Sequence, residues 1–250
     1  FTNTYFSEYP VIGLSIQHGT KSSDSLKSKY GKTNNLFGAS EGSALFANWF
    51  GGGHPSQEVS SEAKEEKKSH FEKTVNSISA LYGKPLIIKN AWNCFRIQSI
   101  VNIFPMAKFI WLKRDIGEAA KSDLEARYVT KSNPNHWNSA TPRNVGDLLT
   151  KPYVQQVVEN QYEFNISIKK SLELIPRQNW TEVFFEDFIR NPTKIISDMC
   201  AFIKCTPRFD NELKDKIRKE SIDLSSKDID DINSYIHDNA KRLNFLRPNY

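Results

Sequence analysis

Three short apolar runs in this chain are each followed directly by charged side chains. Lys89 follows the run at 85–88 (PLII), Arg114 follows 108–113 (KFIWLK), and Glu186 with Asp187 follow 181–185 (TEVFF). In an open parallel sheet ligands gather at the carboxyl ends of the strands, so charges placed there are the first candidates for a site. Ser122 lies about two helical turns beyond Arg114. An arginine fork at a strand end and a serine hydroxyl on the next helix can together grip one phosphate. Taken singly each residue has a plain alternative, because strand-end cations are commonly solvated and a helical serine is usually just exposed.

The elements that would position these residues alternate between strand and helix. The runs at 85–88 and 108–112 are too short for helices and rich in β-branched or aromatic residues, so they read as buried strands. Between them Phe95, Ile97, Ile100, Val101 and Phe104 follow a helical period, giving strand, helix, strand, a parallel βαβ unit. Further helices are expected at 116–129, 154–174 and 192–203, with a strand at 181–185. Upstream, 36–50 reads as a short helix halted by Gly51, Gly52 and Gly53, and 56–82 as a long surface helix docked by its C-terminal half. Residues 211–244 read as two charged helices, and the polar first 35 residues as loop. The expected fold class is α/β, a three-layer parallel sheet flanked by helices, in a single domain over residues 1–250.

Composition narrows the function classes. Thirty-four basic residues are scattered among 29 acidic ones, a net charge of +5 without the clustered stripe of a nucleic-acid surface, so no nucleic-acid partner is expected. No run approaches the roughly 18 apolar residues of a membrane helix, and the first residues lack the form of a signal peptide. Cys94, Cys200 and Cys205 are an odd set without a CxxC, which supports neither a disulfide framework nor a zinc site. The histidines likewise have no metal-ligand spacing.

The segment LIIKNAWNCFRIQSIVNIFPMAKFIWLKRDIGEAAKS resembles the sulfotransferase superfamily, in which a strand ending in Lys leads through a helix to FP-x-A-K-F-I-x-x-x-R-D and, eight residues after the Arg, a Ser. WTEVFFEDFIRNPTKIISDMCAFI resembles that family's later block, and FTNTYFSEYPVIG, more weakly, its helix after the phosphate loop. The resemblance implies a P-loop NTPase-like fold. It also implies transfer of a sulfuryl group from 3'-phosphoadenosine 5'-phosphosulfate (PAPS) to a hydroxyl or amine acceptor, such as a glycan, a protein side chain or a small molecule, with no metal required. Arg114 and Ser122 would bind the 3'-phosphate, and Lys89 would neutralise charge developing on the bridging phosphate oxygen. Phe185 stands where relatives often carry Tyr and would pack beside the nucleotide. Glu186 and Asp187 read as structural, capping the next helix.

The family's 5'-phosphosulfate loop, P-x-x-G-T/S-T/S after a strand, has no counterpart here, and Phe1 falls where the following helix should begin. The expectation is a domain lacking its first strand and phosphate loop, whose natural sequence continues upstream. GTKSS at Gly19 and GKTNN at Gly31 neither follow an apolar strand nor open an apolar helix, and so are not phosphate loops. Sulfuryl transfer to an alcohol also needs a proton acceptor. Glu41 resembles the placement of that base in some relatives; its alternative is a carboxylate favoured by a helix N-terminus. His54, after the triple glycine, could instead be brought over the acceptor by a loop, or be a plain solvent-exposed histidine. Trp49, Phe50, Trp92, His136 and Trp137 could line an acceptor pocket or be core.

Two other functions share these features. A binding module on the same fold would hold a nucleotide, glycan or partner protein without catalysis. A P-loop kinase relative would need G-K-S/T upstream and a magnesium-binding carboxylate, for which only Asp115 offers itself. The compartment stays open between the cytoplasm and, given an upstream anchor, the Golgi lumen; the sequons at Asn165 and Asn179 permit the latter.

Overall fold

The computed structural model describes residues 42–51, 61–138, 140–207 and 222–244. Glu41, His54 and the two glycine segments at Gly19 and Gly31 lie outside the described residues. The chain divides into two compact units, Phe1–Pro105 and Met106–Tyr250.

In the first unit, helices α1 (Ser43–Phe50), α2 (Glu65–Tyr82) and α3 (Ile97–Ile103) surround an aromatic cluster. Leu45, Phe46, Trp49 and Phe50 recur at helical spacing on α1 and are all buried, so the tryptophan and phenylalanine considered for an acceptor pocket are core instead. Trp49 stacks on Phe71 of α2 at 4.1 Å between ring centroids, and its indole N–H donates to His70 Nδ1 at 2.9 Å. A buried indole thus satisfies its one donor, the usual condition for burying tryptophan. Gly83 ends α2 at φ +59°, a left-handed position that costs glycine nothing.

The strand expected at 85–88 is absent: residues 85–90 form no ladder among the described residues, and Ile87 is 72% exposed. An apolar run becomes a strand only when a neighbour accepts its hydrogen bonds. This run opens with Pro85, which has no N–H to give, and ends where the Asn90 side chain accepts from Trp92 N–H to start a tight turn, Ala91–Phe95.

The second unit is α/β. Strand β1 (Phe109–Lys113) leads into α4 (Ile116–Lys131), and the chain continues through α5 (Val145–Leu149) and α6 (Tyr153–Leu172) to strand β2 (Trp180–Phe184). β1 and β2 pair in parallel, with Phe109 opposite Trp180 and Lys113 opposite Phe184, so the intervening helices form the crossover that parallel pairing demands. Helices α7 (Phe185–Arg190), α8 (Pro192–Ile203), α9 (Ser226–Asp238) and α10 (Ala240–Leu243) follow. Parallel strands joined through helices are the expected class. Phe185 is corrected by one position, opening α7 rather than closing β2.

The core of this unit is helical. Ile116, Ala120 and Leu124 form an i, i+4 stripe on α4 that packs against Val154, Val157 and Val158 of α6 and Ile232 and Ile236 of α9. Each fully buried aliphatic side chain of this kind contributes about 1.5–3 kcal/mol. α9 is capped by Ser225, whose Oγ accepts from Asp228 N–H at 3.1 Å. The Asp228 carboxylate in turn accepts from Tyr153 and Tyr128 hydroxyls at 2.8 and 3.2 Å, joining α9 to both α6 and α4.

A charged clamp holds the end of the described chain. Glu159 on α6 accepts from both terminal nitrogens of Arg242, one at 3.0 Å, and from the Tyr235 hydroxyl at 2.7 Å, while the guanidinium lies 4.3 Å over the Tyr162 ring. Burial pushes the Glu159 carboxyl up, but the hydrogen bonds from Arg242 and Tyr235 outweigh it and hold it below its ordinary value. A carboxylate with a depressed folded pKa stabilises the fold above its unfolded pKa of about 4.3, and that stability is lost as pH falls through the folded value. With Arg242 partly exposed, Arg242→Ala is expected to cost only about 1–2 kcal/mol at neutral pH. Thermal melts of parent and variant across pH check this: their difference should begin to shrink as pH falls past about 4.3 and close once pH has passed through the lowered folded value of Glu159.

Candidate functional site

The site at the carboxyl end of the parallel pair is built from the register of that pair. Because Lys113 pairs with Phe184, the chain leaves both strands at the same level, and residues 114–115 meet residues 185–186. The Arg114 guanidinium lies 5.0 Å over the Phe185 ring, and Asp115 N–H donates to Glu186 Oε1 at 3.0 Å. Glu186 therefore does cap a helix, but it is α4 rather than the one that follows it. Asp187 pairs with Arg190 at 3.3 Å inside α7, and the following helix, α8, is capped by Asn191, which accepts from Lys194 N–H at 3.3 Å. The structure replaces the single capping role expected for Glu186 and Asp187 with these three separate contacts.

Asp115 is the N-cap of α4, its Oδ1 accepting from Glu118 N–H at 3.0 Å. This anchors the turn directly after Arg114, so the arginine is carried on a strand end and a capped helix start rather than on a loop. Lys113, its neighbour, turns the other way: buried, it pairs with Glu182 at 3.2 Å and lies over the Trp111 and Phe184 rings. Lys113 is thereby neutralised. Arg114 is not: among the described residues no carboxylate forms an ion pair with it, and its buried Nε has no hydrogen-bond partner. A guanidinium so placed retains its capacity for an anion, since a buried donor without an acceptor is costly.

Ser122 is half-buried on α4, about 9 Å along the helix from Ile116 at about 1.5 Å per residue. It stands off the stripe of Ile116, Ala120 and Leu124 that faces the core, as a hydroxyl available to a ligand must. Beside the helix start is a cleft of about 370 Å³ lined by Asp115, Ile116, Gly117, Lys121 and the α9 residues Asn233, Ile236 and His237. Lys121 in this cleft pairs with Glu118 at 3.5 Å.

The candidates thus separate. Arg114 and Phe185 are in contact, and Ser122 sits on the helix that Arg114 introduces. Lys89 is exposed on the extended segment of the first unit. Trp92 is half-buried; His136 is exposed; Trp137 is half-buried beneath the Arg127 guanidinium at 4.7 Å, with its N–H donating to Ala140 C=O at 3.2 Å, a packing role. Asp115, the magnesium candidate of a kinase reading, has one carboxylate oxygen committed to its helix. No group of three or more metal-ligating side chains occurs among the described residues, and no described helix is long and apolar enough to cross a membrane.

Glu186 is the site residue whose role the sequence misplaced. Its EDF motif was visible, but its partner Asp115 is fixed only by the pairing of β1 with β2.

Comparison with solved structures finds a sulfotransferase domain from the curacin biosynthetic pathway, 15% identical, covering 73% of this chain and 62% of that one, with a TM-score of 0.45. A sulfotransferase from Alicyclobacillus acidocaldarius is 18% identical, covering 62% of this chain and 60% of its own, with a TM-score of 0.38. The chain thus spans about three fifths of the length of each. No curated protein matches it. The match that identifies it is to the model of the Sulfotransferase family, which extends over residues 22–210 and takes in both strands, α4 and every described candidate, and the chain belongs to that family.

Proposed function

We propose that this protein transfers the sulfuryl group of PAPS to a hydroxyl acceptor, with Arg114 and Ser122 binding the 3'-phosphate of the nucleotide. The observation that carries this reading is the Arg114 guanidinium: it stands at the carboxyl end of β1, in no ion pair with a carboxylate among the described residues and with a buried Nε that has no acceptor. That is the condition a phosphate would relieve, so the residues present fit the 3'-phosphate. Phe185 supports the underside of the guanidinium. Family membership supports sulfuryl transfer in general.

PAPS supplies an activated sulfuryl group whose departure leaves charge on a phosphate oxygen. Arg114 and Ser122 fix the nucleotide by its 3' end, which is positioning rather than chemistry. Lys89 neutralises the charge that develops on the leaving side. Glu41 or His54 takes the proton from the acceptor hydroxyl. The acceptor is a glycan, protein side chain or small molecule bearing that hydroxyl.

The test is transfer of radiolabelled sulfuryl from PAPS to a panel of hydroxyl acceptors, including sugars, phenols and peptides. Labelled product with release of 3'-phosphoadenosine 5'-phosphate is expected; binding of that nucleotide without transfer to any acceptor would favour the binding module instead. Lys89→Ala is expected to lower kcat by about a hundredfold, in the range seen when one donor to a developing charge is lost, while the KM for PAPS changes little. An unchanged kcat in a folded variant would remove Lys89 from the site.

A further inference from the structure

The C-terminus of α8 brings together two thiols that sulfuryl transfer does not use. Lys204, the residue after Ile203, is left-handed at φ +58° and ψ +47°. Cys205 N–H donates to Cys200 C=O at 2.9 Å and Lys204 N–H to Ala201 C=O at 3.2 Å. These paired bonds are the Schellman closure of a helix, in which the side chain three positions before the cap meets the one two positions after it. Here those two positions are Cys200 and Cys205. Both are half-buried, and the Cys205 thiol lies close enough to act on that of Cys200. A contact that other helices fill with two apolar side chains is here filled with two reducing groups.

We propose that Cys200 and Cys205 form a dithiol site that closes reversibly into a disulfide by exchange with an oxidised low-molecular-weight disulfide such as glutathione disulfide. In the first step the Cys200 thiolate attacks one sulfur of the reagent, forming a protein–glutathione bond and expelling one glutathione thiolate, which takes up a proton. In the second, the Cys205 thiolate attacks the Cys200 sulfur and expels the second glutathione. Two protein thiols are oxidised to one disulfide, and one glutathione disulfide is reduced to two thiols. Burial, and then the neighbouring Cys205, hold the Cys200 thiol above its ordinary value, so the exchange, which requires thiolate, quickens as pH rises. The closed bond fastens the last turn of α8, where Phe202 lies 5.2 Å beneath the Lys108 ammonium next to the start of β1.

The experiment is incubation of the protein in glutathione redox buffers, acid quenching, alkylation and peptide mapping. A Cys200–Cys205 disulfide is expected to exceed the singly glutathionylated form by about tenfold or more, because the second step is intramolecular, and dithiothreitol should reverse it. Cys94, whose thiol burial pushes up to about 12, is the internal control and should stay reduced. Cys205→Ser should leave Cys200 trapped as its glutathione adduct. Glutathione on both cysteines without a disulfide, pairing of either with Cys94, or no oxidation of either in an oxidising buffer would each overturn the proposal.

Discussion

Arg114→Ala is expected to weaken binding of 3'-phosphoadenosine 5'-phosphate by about ten- to a hundredfold, and to leave AMP within about twofold of the parent. The size follows from losing a charge-assisted contact worth about 1.5–3 kcal/mol. The selectivity follows from its position, since only the 3'-phosphate distinguishes the two nucleotides. Removing the side chain also removes its stacking on Phe185, a loss of about 0.5–1 kcal/mol that leaves the fold intact. Arg114→Lys should fall between the two, because an ammonium keeps the charge and loses the fork. Calorimetric titration of the three proteins with both nucleotides checks the set. An Arg114→Ala protein that loses both nucleotides equally would make the residue structural.

The largest effect on stability is expected at Arg127, a residue unrelated to the site. It is fully buried on α4, where Nη1 donates to Gln156 Oε1 at 2.8 Å and to Pro134 C=O at 3.1 Å, and Nη2 lies 3.7 Å from Asp123 Oδ2. Burial lowers its pKa against the opposing pull of Asp123, and burial raises that of Asp123 against Arg127 and Asn160. Truncating one partner of such a pair leaves the other charge stranded, so Arg127→Ala is expected to cost about 3–5 kcal/mol in denaturant unfolding. The sign with pH follows from Asp123. Its folded pKa stands above the unfolded value of about 3.9, so its contribution is fully present below that value and is lost as pH rises through the folded one. Arg127→Ala should therefore be weakest at neutral pH and recover part of its deficit in acid. Asp123→Asn on that background should recover part of it at pH 7. A deficit under about 1 kcal/mol would mean that the pair is screened by water.

Much of the second unit was legible because its local signals agree with its packing. α8 begins and ends where the Asn-Pro pair and the apolar period place it, since Pro192 at the first position and Asn191 as cap leave the backbone little choice. The runs that became β1 and β2 were found to within a residue, each being short, aromatic and flanked by a helix signal. The run at 85–88 carries the same signal and forms no ladder among the described residues, because strand pairing is decided by a partner distant in sequence.

The candidate site was legible only where it is local. Arg114 and Ser122, named as candidates from a strand end and the helix after it, do lie on one strand–helix unit. The bond from Asp115 N–H to Glu186 depends on the register between strands 71 positions apart, and nothing local announces it. Arg127 looked like any helical arginine, its burial being set by Gln156 and Trp137 on other segments. The meeting of Cys200 with Cys205 was hidden because its hinge is a lysine in the left-handed region, where glycine would have signalled the closure.

The central claim, that Arg114 and Ser122 recognise a 3'-phosphate, is tested most directly by titrating the protein with 3'-phosphoadenosine 5'-phosphate, AMP and ATP in one calorimetric series. The account predicts that the 3',5'-bisphosphate binds at least about tenfold more tightly than AMP, the factor that a single charge-assisted contact provides, and that ATP gains nothing from its longer 5' chain. Equal affinity for the bisphosphate and AMP, or tightest binding by ATP, would contradict it.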